Sequence, residues 1–310
     1  MISIVRPSQH CHRFTRRRFL AGSAAAGAGL LSWNAAIGLS AAAGPTDPDR
    51  WTLVSDIHLS HNRQAKNRGV APAEGLAQAR EGSLALEPRP AGVIVCGDCA
   101  FNEGLSPDYA LLAEMIQPWQ QAKVAVHFAL GNHDHRENFW HALAAMKPSG
   151  PAAVDGKHAY AIESLRVRWI ILDSLEKTKQ TPGLLGKEQL AWLAAQLDAH
   201  PEKPAMVVAH HHPDPTGRLN GLKDTGPLLE ILTSRKQAKA LVFGHTHRWQ
   251  HVEIGGLHYL NVPATAWIFD ADQPRAWLDV HLRDDGAQVA LCCLDKSHKA
   301  NGQQVDMKWR

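Results

Sequence analysis

The chain has 310 residues, which is enough for one large domain or two small ones with a substantial hydrophobic core. Lysine and arginine number 33 and aspartate and glutamate number 30, for a formal net charge of +3. Five of the arginines lie within residues 1–43, which contain no acid, so the rest of the chain has 28 basic and 30 acidic residues. A slightly acidic chain without a basic run argues against a nucleic-acid-binding surface, and no nucleic acid partner is expected.

The first 43 residues have the pattern of an export signal. The stretch "TRRRFL" precedes a weakly apolar segment rich in alanine and glycine, which ends at Ala41–Ala43 before Gly44. The pattern resembles the twin-arginine signal of bacteria, so we expect a signal peptide over 1–43 and the twin-arginine export machinery as a partner. A periplasmic or secreted location follows. The alternative is an uncleaved N-terminal anchor. No later apolar run approaches about 18 residues, so no membrane span is expected in the mature chain, 44–310.

The mature chain alternates strand candidates with amphipathic helix candidates. Helical patterns cover 106–121 and 186–200, and strand-like alternation returns over roughly 250–295. This order predicts a layered α/β domain with its core over about 51–295. Six apolar runs are typical of buried strands: 51–56, 92–98, 123–134, 167–174, 204–212 and 239–247.

Four cysteines remain after the predicted leader is removed. Cys96 and Cys99 flank Asp98, and Cys292 and Cys293 are adjacent. We interpret them as buried thiols that act as small apolar residues. A disulfide stays open because the protein is predicted to be exported.

Five of the six apolar runs end in side chains that can bind a metal ion. Ligands of layered α/β proteins gather beyond the carboxyl ends of strands, so these side chains are expected to converge. Mixed oxygen and imidazole ligands without thiolate favour Mn, Fe or Zn over Mg or Ca alone. At least seven of these side chains are available as ligands, more than one tetrahedral ion needs, which predicts two divalent ions with a shared carboxylate. The side chains are Asp56 and His58, Asp98, Asn132 and His133, His210–His212, and His245 and His247.

The motifs D-x-H, G-D, G-N-H-D, H-x-P and G-H-x-H follow one another in this order. They resemble the calcineurin-like metallophosphoesterases over about residues 51–265. Within that family, "GNHDHRENF", "LDSLEKTKQTPGLLGKEQLAWLAAQL" and "GHTHRW" are most similar to the class III cyclic-nucleotide phosphodiesterases. The resemblance implies an α/β fold, a four-layer α/β/β/α sandwich with two mixed β-sheets.

The resemblance also implies the ligand set, with Asp98 bridging the two ions. The family's histidine ligand lies two residues before a proline, so Pro213 selects His211, with His210 as the alternative. Phe101 stands where the purple acid phosphatase branch has a tyrosinate ligand, so none is expected here. The implied ligands are Asp56, His58, Asp98 and His247 for one ion, and Asp98, Asn132, His211 and His245 for the other.

Two residues are implied to be catalytic. His133 matches the family residue that contacts the phosphate or the leaving group, and Asp134 is expected to orient it and raise its pKa. Arg136 is expected either to reach the substrate or to be a solvated charge at a helix start. Trp267 is expected either to line a substrate-binding wall or to belong to the core.

The functional expectation is an exported dinuclear-metal phosphohydrolase that cleaves phosphoester bonds with a metal-activated hydroxide. A phosphodiesterase acting on a small phosphoester is the first hypothesis. A phosphomonoesterase on the same scaffold is the second, because the difference between the two activities lies in the conformation of loops. A non-catalytic metal-bearing binding module is the third.

Overall fold

A computed structural model describes residues 44–147, 152–216 and 220–310, so the predicted signal peptide lies outside the described residues. Within these ranges, no helix has the length and apolar character needed to cross a membrane. The helices are α1 Pro72–Leu84, α2 Ser106–Gln121, α3 Arg136–Ala142, α4 Lys187–Asp198 and α5 Thr225–Thr233, with a 3₁₀ turn at Ala144–Met146. The strands are β1 Thr46–Val54, β2 Arg89–Cys96, β3 Ala125–Ala129, β4 Tyr160–Glu163, β5 Arg168–Ile171, β6 Ala205–Val208, β7 Ala238–Phe243, β8 Gln250–Ile254, β9 Leu257–Asn261, β10 Ala276–Arg283, β11 Gly286–Cys293 and β12 Gln304–Lys308.

The strands form two six-stranded sheets. The first has the order β12-β11-β10-β1-β2-β3, and the second has the order β4-β5-β6-β7-β9-β8. Strands β1, β2 and β3 run parallel, whereas β10 pairs antiparallel to β1. In the second sheet β5, β6 and β7 run parallel, whereas β4 pairs antiparallel to β5. Both sheets are therefore mixed, as predicted.

Alternating side chains build the layers, because successive residues of a strand point to opposite faces of its sheet. Leu53 belongs to the core between the two sheets, and Val54 packs toward α1 and α2. In the second sheet Val208 faces the other sheet, and Val207 packs toward α4 and α5. Helices thus cover the outer face of each sheet, and the predicted α/β/β/α sandwich is confirmed.

The ordered core extends beyond the predicted range in both directions. Strand β1 begins at Thr46, and β12 adds an edge strand after the predicted end near residue 295. The β12 stretch "QVDMK" buries only Met307 in full, so its sequence lacks the apolar run that would predict a strand. Cys96, Cys99, Cys292 and Cys293 are free thiols, three of them buried, as expected.

The parallel strands of both sheets end at one edge of the sandwich. Gly244 N, after β7, donates a hydrogen bond to His210 O, after β6. Thr265 N, after β9, donates to Ser55 O at the end of β1. These backbone bonds hold together the loops in which the predicted metal ligands lie.

Candidate metal centre

Five of the predicted ligands have a left-handed backbone. This conformation is uncommon for residues other than glycine and costs about 1–3 kcal/mol each unless the surroundings impose it. Such strain clusters at functional sites, where it aims a side chain that a regular strand would point elsewhere. The φ angles are 49° at Asp56, 42° at His58, 50° at Asp98, 68° at His245 and 55° at His247.

The first group of ligand atoms comprises Asp56, His58 and His247, all buried. Asp56 Oδ1 lies 3.3 Å from His247 Nε2 and 4.0 Å from His58 Nε2. The two Nε2 atoms are 3.2 Å apart. Three donors of this kind within reach of one point are a suitable set for a divalent ion.

The second group comprises Asp98, His210 and His245, again all buried. Asp98 Oδ2 lies 3.2 Å from His210 Nε2, and that nitrogen lies 3.2 Å from His245 Nδ1. The same Oδ2 lies 3.6 Å from His58 Nε2 in the first group. Asp98 therefore stands between the two groups, where a bridging carboxylate is needed.

His210, the alternative to His211, is the histidine of the triple run whose Nε2 lies beside Asp98. His211 Nδ1 instead lies 2.8 Å from Ser174 Oγ. Side-chain alternation explains the difference: Val208 faces the other sheet and Ala209 faces the helices, so His210 continues the inward face. We propose His210 as the ligand because its Nε2 lies beside Asp98, and His211, whose own Nε2 is buried without a hydrogen-bond partner among the described residues, is the alternative.

Backbone carbonyls orient three of these imidazoles. His210 Nδ1 lies 2.8 Å from Cys96 O, and His58 Nδ1 lies 3.3 Å from Phe101 O. His247 Nδ1 is similarly paired with Trp267 O. A carbonyl can only accept, so Nδ1 carries the proton and Nε2 offers its lone pair to the site, as in metal-binding histidines.

Two glycines make room for this packing. Gly97 has φ +93, and a side chain there would come within 2.5 Å of the His210 ring. A Cβ at Gly244 would meet Asp56 Oδ2 at 2.6 Å. Both positions need glycine because the ligands approach the backbone too closely for any larger residue.

Electrostatics keep most of the ligands in the form that binds metal. Burial lowers the pKa of His58 to about 4 and the pKa of His245 to about 3, so both are neutral near pH 7. Burial acts to raise the pKa of Asp98, but the charge and hydrogen bond of His210 hold it well below its usual range. Burial lowers the pKa of His210, and the Asp98 carboxylate more than offsets this and raises it to about 9. A metal ion would replace that proton, because metal ligands must be deprotonated.

The residues fit two divalent ions. Asn132 Oδ1, His211 Nε2 and His245 Nε2 are buried without a hydrogen-bond partner among the described residues. An orphaned buried polar atom costs about 1–3 kcal/mol, and a bound cation would remove that cost. Asn132 is placed beside the shared carboxylate, since the backbone N of His133 donates to Asp98 Oδ1 at 2.9 Å.

His133 lies next to both groups and is only partly buried. Its Nδ1 lies 2.9 Å from Asn102 O, so the carbonyl of Asn102 fixes the tautomer and leaves Nε2 free. Its ring centroid is 5.1 Å from that of His58. Sequence reasoning could not identify Asn102 in this role because the contact uses its backbone.

The structure gives Asp134 a different role from the one expected. Its buried carboxylate accepts hydrogen bonds from backbone N–H groups and from Tyr109 Oη, and none of its bonds in the described ranges reaches the His133 ring. It ties the turn after β2, which carries Asp98, to the turn after β3, which carries Asn132. Burial, followed by the Asp98 charge, raises its pKa to about 6 against the backbone bonds that lower it. The backbone donors are Cys99 N, Ala100 N and Gly131 N at 2.9–3.1 Å.

Aromatic residues form one wall of the site. Trp267 is buried and stacks on His58 with ring centroids 4.2 Å apart. Phe269, which sequence reasoning missed, is 57% exposed, and its centroid is 4.4 Å from that of His247. No motif surrounds Phe269, so only the fold reveals its position at the rim.

Arg136 begins α3, at the helix start expected for it, but its charge is paired rather than solvated. Its guanidinium pairs with the buried Asp173 carboxylate, with Nε to Oδ2 at 2.6 Å and Nη2 to Oδ1 at 3.0 Å. This bidentate pair joins the start of α3 to the loop after β5.

Comparison with known proteins identifies the family. The family profile described as "Calcineurin-like phosphoesterase" matches residues 50–249. The "Probable cyclic nucleotide phosphodiesterase" of Synechococcus sp. is 28% identical over 255 residues, or 80% of this chain and 94% of that relative. The "Probable glycerophosphodiester phosphodiesterase GpdQ" of Arcobacter nitrofigilis is 31% identical over 201 residues, or 63% of this chain and 70% of that relative.

A solved structure shows the same fold. The dimetal phosphatase from Danio rerio superimposes with a TM-score of 0.66 at 14% identity, covering 85% of this chain and 100% of that chain. The family profile matches well over half of the chain, and the motifs that define it supply the two buried ligand groups. The chain therefore belongs to the calcineurin-like metallophosphoesterase family and is a metal-dependent phosphoesterase.

Proposed function

We propose that this chain is an exported phosphodiesterase with a dinuclear metal centre that acts on small phosphodiesters. The observation that carries the proposal is Asp98, which stands between two buried ligand groups while His133 lies beside them. Relatives named for cyclic-nucleotide and glycerophosphodiester hydrolysis support the diester class.

The proposed ligands are those expected from sequence, with His210 in place of His211. Two divalent ions bound there supply hydroxide near neutral pH and offset the charge of the phosphate oxygens. The protein holds the donor atoms at fixed positions through the strained strand ends and the carbonyls that orient the imidazoles. One ion would be held by Asp56, His58, Asp98 and His247, and the other by Asp98, Asn132, His210 and His245.

His133 is suited to give a proton to the departing oxygen. Its Nδ1 is held by Asn102 O, so a proton added at Nε2 can be passed to the leaving group without turning the ring. The ring is partly exposed, so water can return the proton after each turnover.

The aromatic wall favours diesters over monoesters. A diester carries a second organic group that a monoester lacks, and Trp267 with Phe269 offers an apolar surface next to the first ligand group. Burying part of that group against Phe269 would add binding free energy at about 25 cal/mol per Å² of apolar area removed from water.

The export part of the proposal rests on residues 15–20. Substituting both Arg16 and Arg17 by lysine should keep the protein in the cytoplasm, whereas the unchanged chain should reach the periplasm or the medium. Cell fractionation with an antibody against the chain measures this directly. Equal export of both forms would remove the twin-arginine assignment and leave the activity untouched.

The activity is tested with initial rates of the Mn(II)-loaded protein on matched aryl phosphate monoesters and diesters. We expect a higher kcat/KM for the diester and no rate with Asp98→Ala, which removes the shared ligand. A monoester preference would make the chain a phosphatase. No rate on either ester with two ions bound would make it a metal-bearing binding module.

A further inference from the structure

A lysine–glutamate ion pair joins two loops at the metal centre. Lys179 Nζ lies 2.6 Å from Glu103 Oε1, and the two side chains are 49% and 50% exposed. Neither residue belongs to the ligand set, although Lys179 lies within the stretch "LDSLEKTKQTPG" of the subgroup resemblance.

Each partner is fixed to a part of the reaction site. The backbone N of Lys179 donates to the carbonyl O of the proposed ligand Asn132 at 2.6 Å. Glu103 directly follows Asn102, whose carbonyl holds His133 Nδ1 at 2.9 Å. The pair therefore connects the loop beside the metal ligand to the loop beside the proton donor.

The backbone at Lys179 indicates that this placement is imposed. Its φ of 63° is left-handed, a conformation that glycine would adopt without cost and that a long side chain rarely takes. Backbone strain of this kind persists where the surroundings require it and is found around ligand-binding sites.

The ion pair itself contributes little to stability. Half-exposed pairs gain small Coulomb energy in water and lose side-chain freedom when they form. Lys179 can therefore exchange Glu103 for another anion at low cost. An anionic substrate at the metal centre is the ligand that it would encounter, whereas Glu103 would repel it.

We propose that Lys179 and Glu103 are specificity-determining residues that set the preference between singly and doubly charged phosphoesters. This inference rests on the proposed function. A diester carries one negative charge at neutral pH and a monoester carries nearly two. With the pair formed, Glu103 balances the charge of Lys179, so the two loops add no positive field for the second negative charge of a monoester at the metal centre. A Lys179 free of Glu103 would attract it.

The experiment compares Lys179→Gln and Glu103→Gln in the Mn(II)-loaded protein. The measured quantity is kcat/KM for a diester divided by kcat/KM for the matched monoester. We expect Glu103→Gln to lower this ratio about three- to tenfold and Lys179→Gln to raise it by a similar factor, as for one charge acting over several ångströms of partly screened solvent. The matched control is Lys223→Gln, which breaks the similarly exposed pair of Lys223 with Glu176, a residue of the loop that carries Lys179. Its ratio should not change.

A purely structural pair gives a different result, because both variants then remove the same interaction. Equal shifts in the two variants, an unchanged ratio, or an equal shift in Lys223→Gln would overturn the proposal. If neither ester is hydrolysed although two ions are bound, the proposed function fails. The charge proposal is then decided by calorimetry with inorganic phosphate. The affinity should fall in Lys179→Gln and rise in Glu103→Gln, and no difference between them would refute it.

Discussion

His210 Nε2 lies 3.2 Å from Asp98 Oδ2, so the end of β6 in one sheet meets the end of β2 in the other. His210 contacts a backbone carbonyl oxygen through Nδ1 and the Asp98 carboxylate through Nε2. His210 Nδ1 is bound to Cys96 O, two residues before Asp98, so the same strand end positions both donors. The contact explains how two sheets that share no backbone ladder build one metal centre.

The first prediction separates the two adjacent histidines. His210→Ala should lower the affinity for one of the two ions by more than about 100-fold, because it removes a direct ligand. His211→Ala should keep both ions and lower the free energy of unfolding by about 1–3 kcal/mol, because Ser174 loses its buried partner. Elemental analysis of desalted protein gives the metal content. Loss of an ion from His211→Ala alone would restore the ligand that the proline spacing selects.

The second prediction concerns Asp134. Asp134→Asn should lower the free energy of unfolding by about 2–4 kcal/mol and weaken binding of both ions, because an amide nitrogen would face backbone N–H donors. Urea unfolding and Mn(II) titration measure the two effects. Tyr109→Phe is the graded control, since it removes the hydroxyl that donates to Asp134 and accepts from His135 N but leaves the backbone donors to Asp134, and it should cost about 1–2 kcal/mol. A fall in kcat with unchanged stability and metal affinity would instead support the role of orienting His133.

The third prediction tests His133 as the proton donor. His133→Ala should keep both ions, because the contact with Asp98 Oδ1 is made by the backbone N. The loss in kcat should be about 100- to 10,000-fold for alkyl esters and much smaller for nitrophenyl esters, whose leaving group needs no proton. A series of leaving groups of graded pKa measures this. Equal losses across the series would count against the role.

The fourth prediction is a pH dependence of stability that comes from His158. Its ring is buried, its Nε2 lies 2.9 Å from Phe128 O, and burial lowers its pKa to about 4. The unfolded chain has a histidine pKa near about 6.5, so it binds more protons than the folded chain between these values. The contribution is complete above about pH 6.5 and is lost as pH falls toward 4, by about 2–4 kcal/mol in total.

His158→Gln keeps a donor for Phe128 O and removes the titration. Its free energy of unfolding, measured against pH by urea, should therefore fall less steeply than that of the unchanged chain between about pH 6.5 and 4. His141→Gln, at an exposed position in α3, is the control and should leave the slope unchanged. Parallel curves for His158→Gln and the unchanged chain would show that His158 does not cause the acid sensitivity.

The sequence alone predicted the layered fold and most of the metal centre. Alternating apolar residues set which face of each strand is buried. Metal ligands at strand ends, such as Asp56 and His245, can be recognised in the sequence because metal chemistry restricts the residue types. These signals are local, so a single sequence carries them. The predicted leader stays a prediction, since it lies outside the described residues.

Only the tertiary structure decided which donors point inward and what surrounds them. The proposal of His210 rather than His211 rests on which face of β6 meets the other sheet. The partners of Asp134, the carbonyl that holds His133 and the pairing of Lys179 with Glu103 join loops that are distant in the chain. Such contacts form when the two sheets pack together. They join residues far apart in the chain, so no local sequence pattern predicts them.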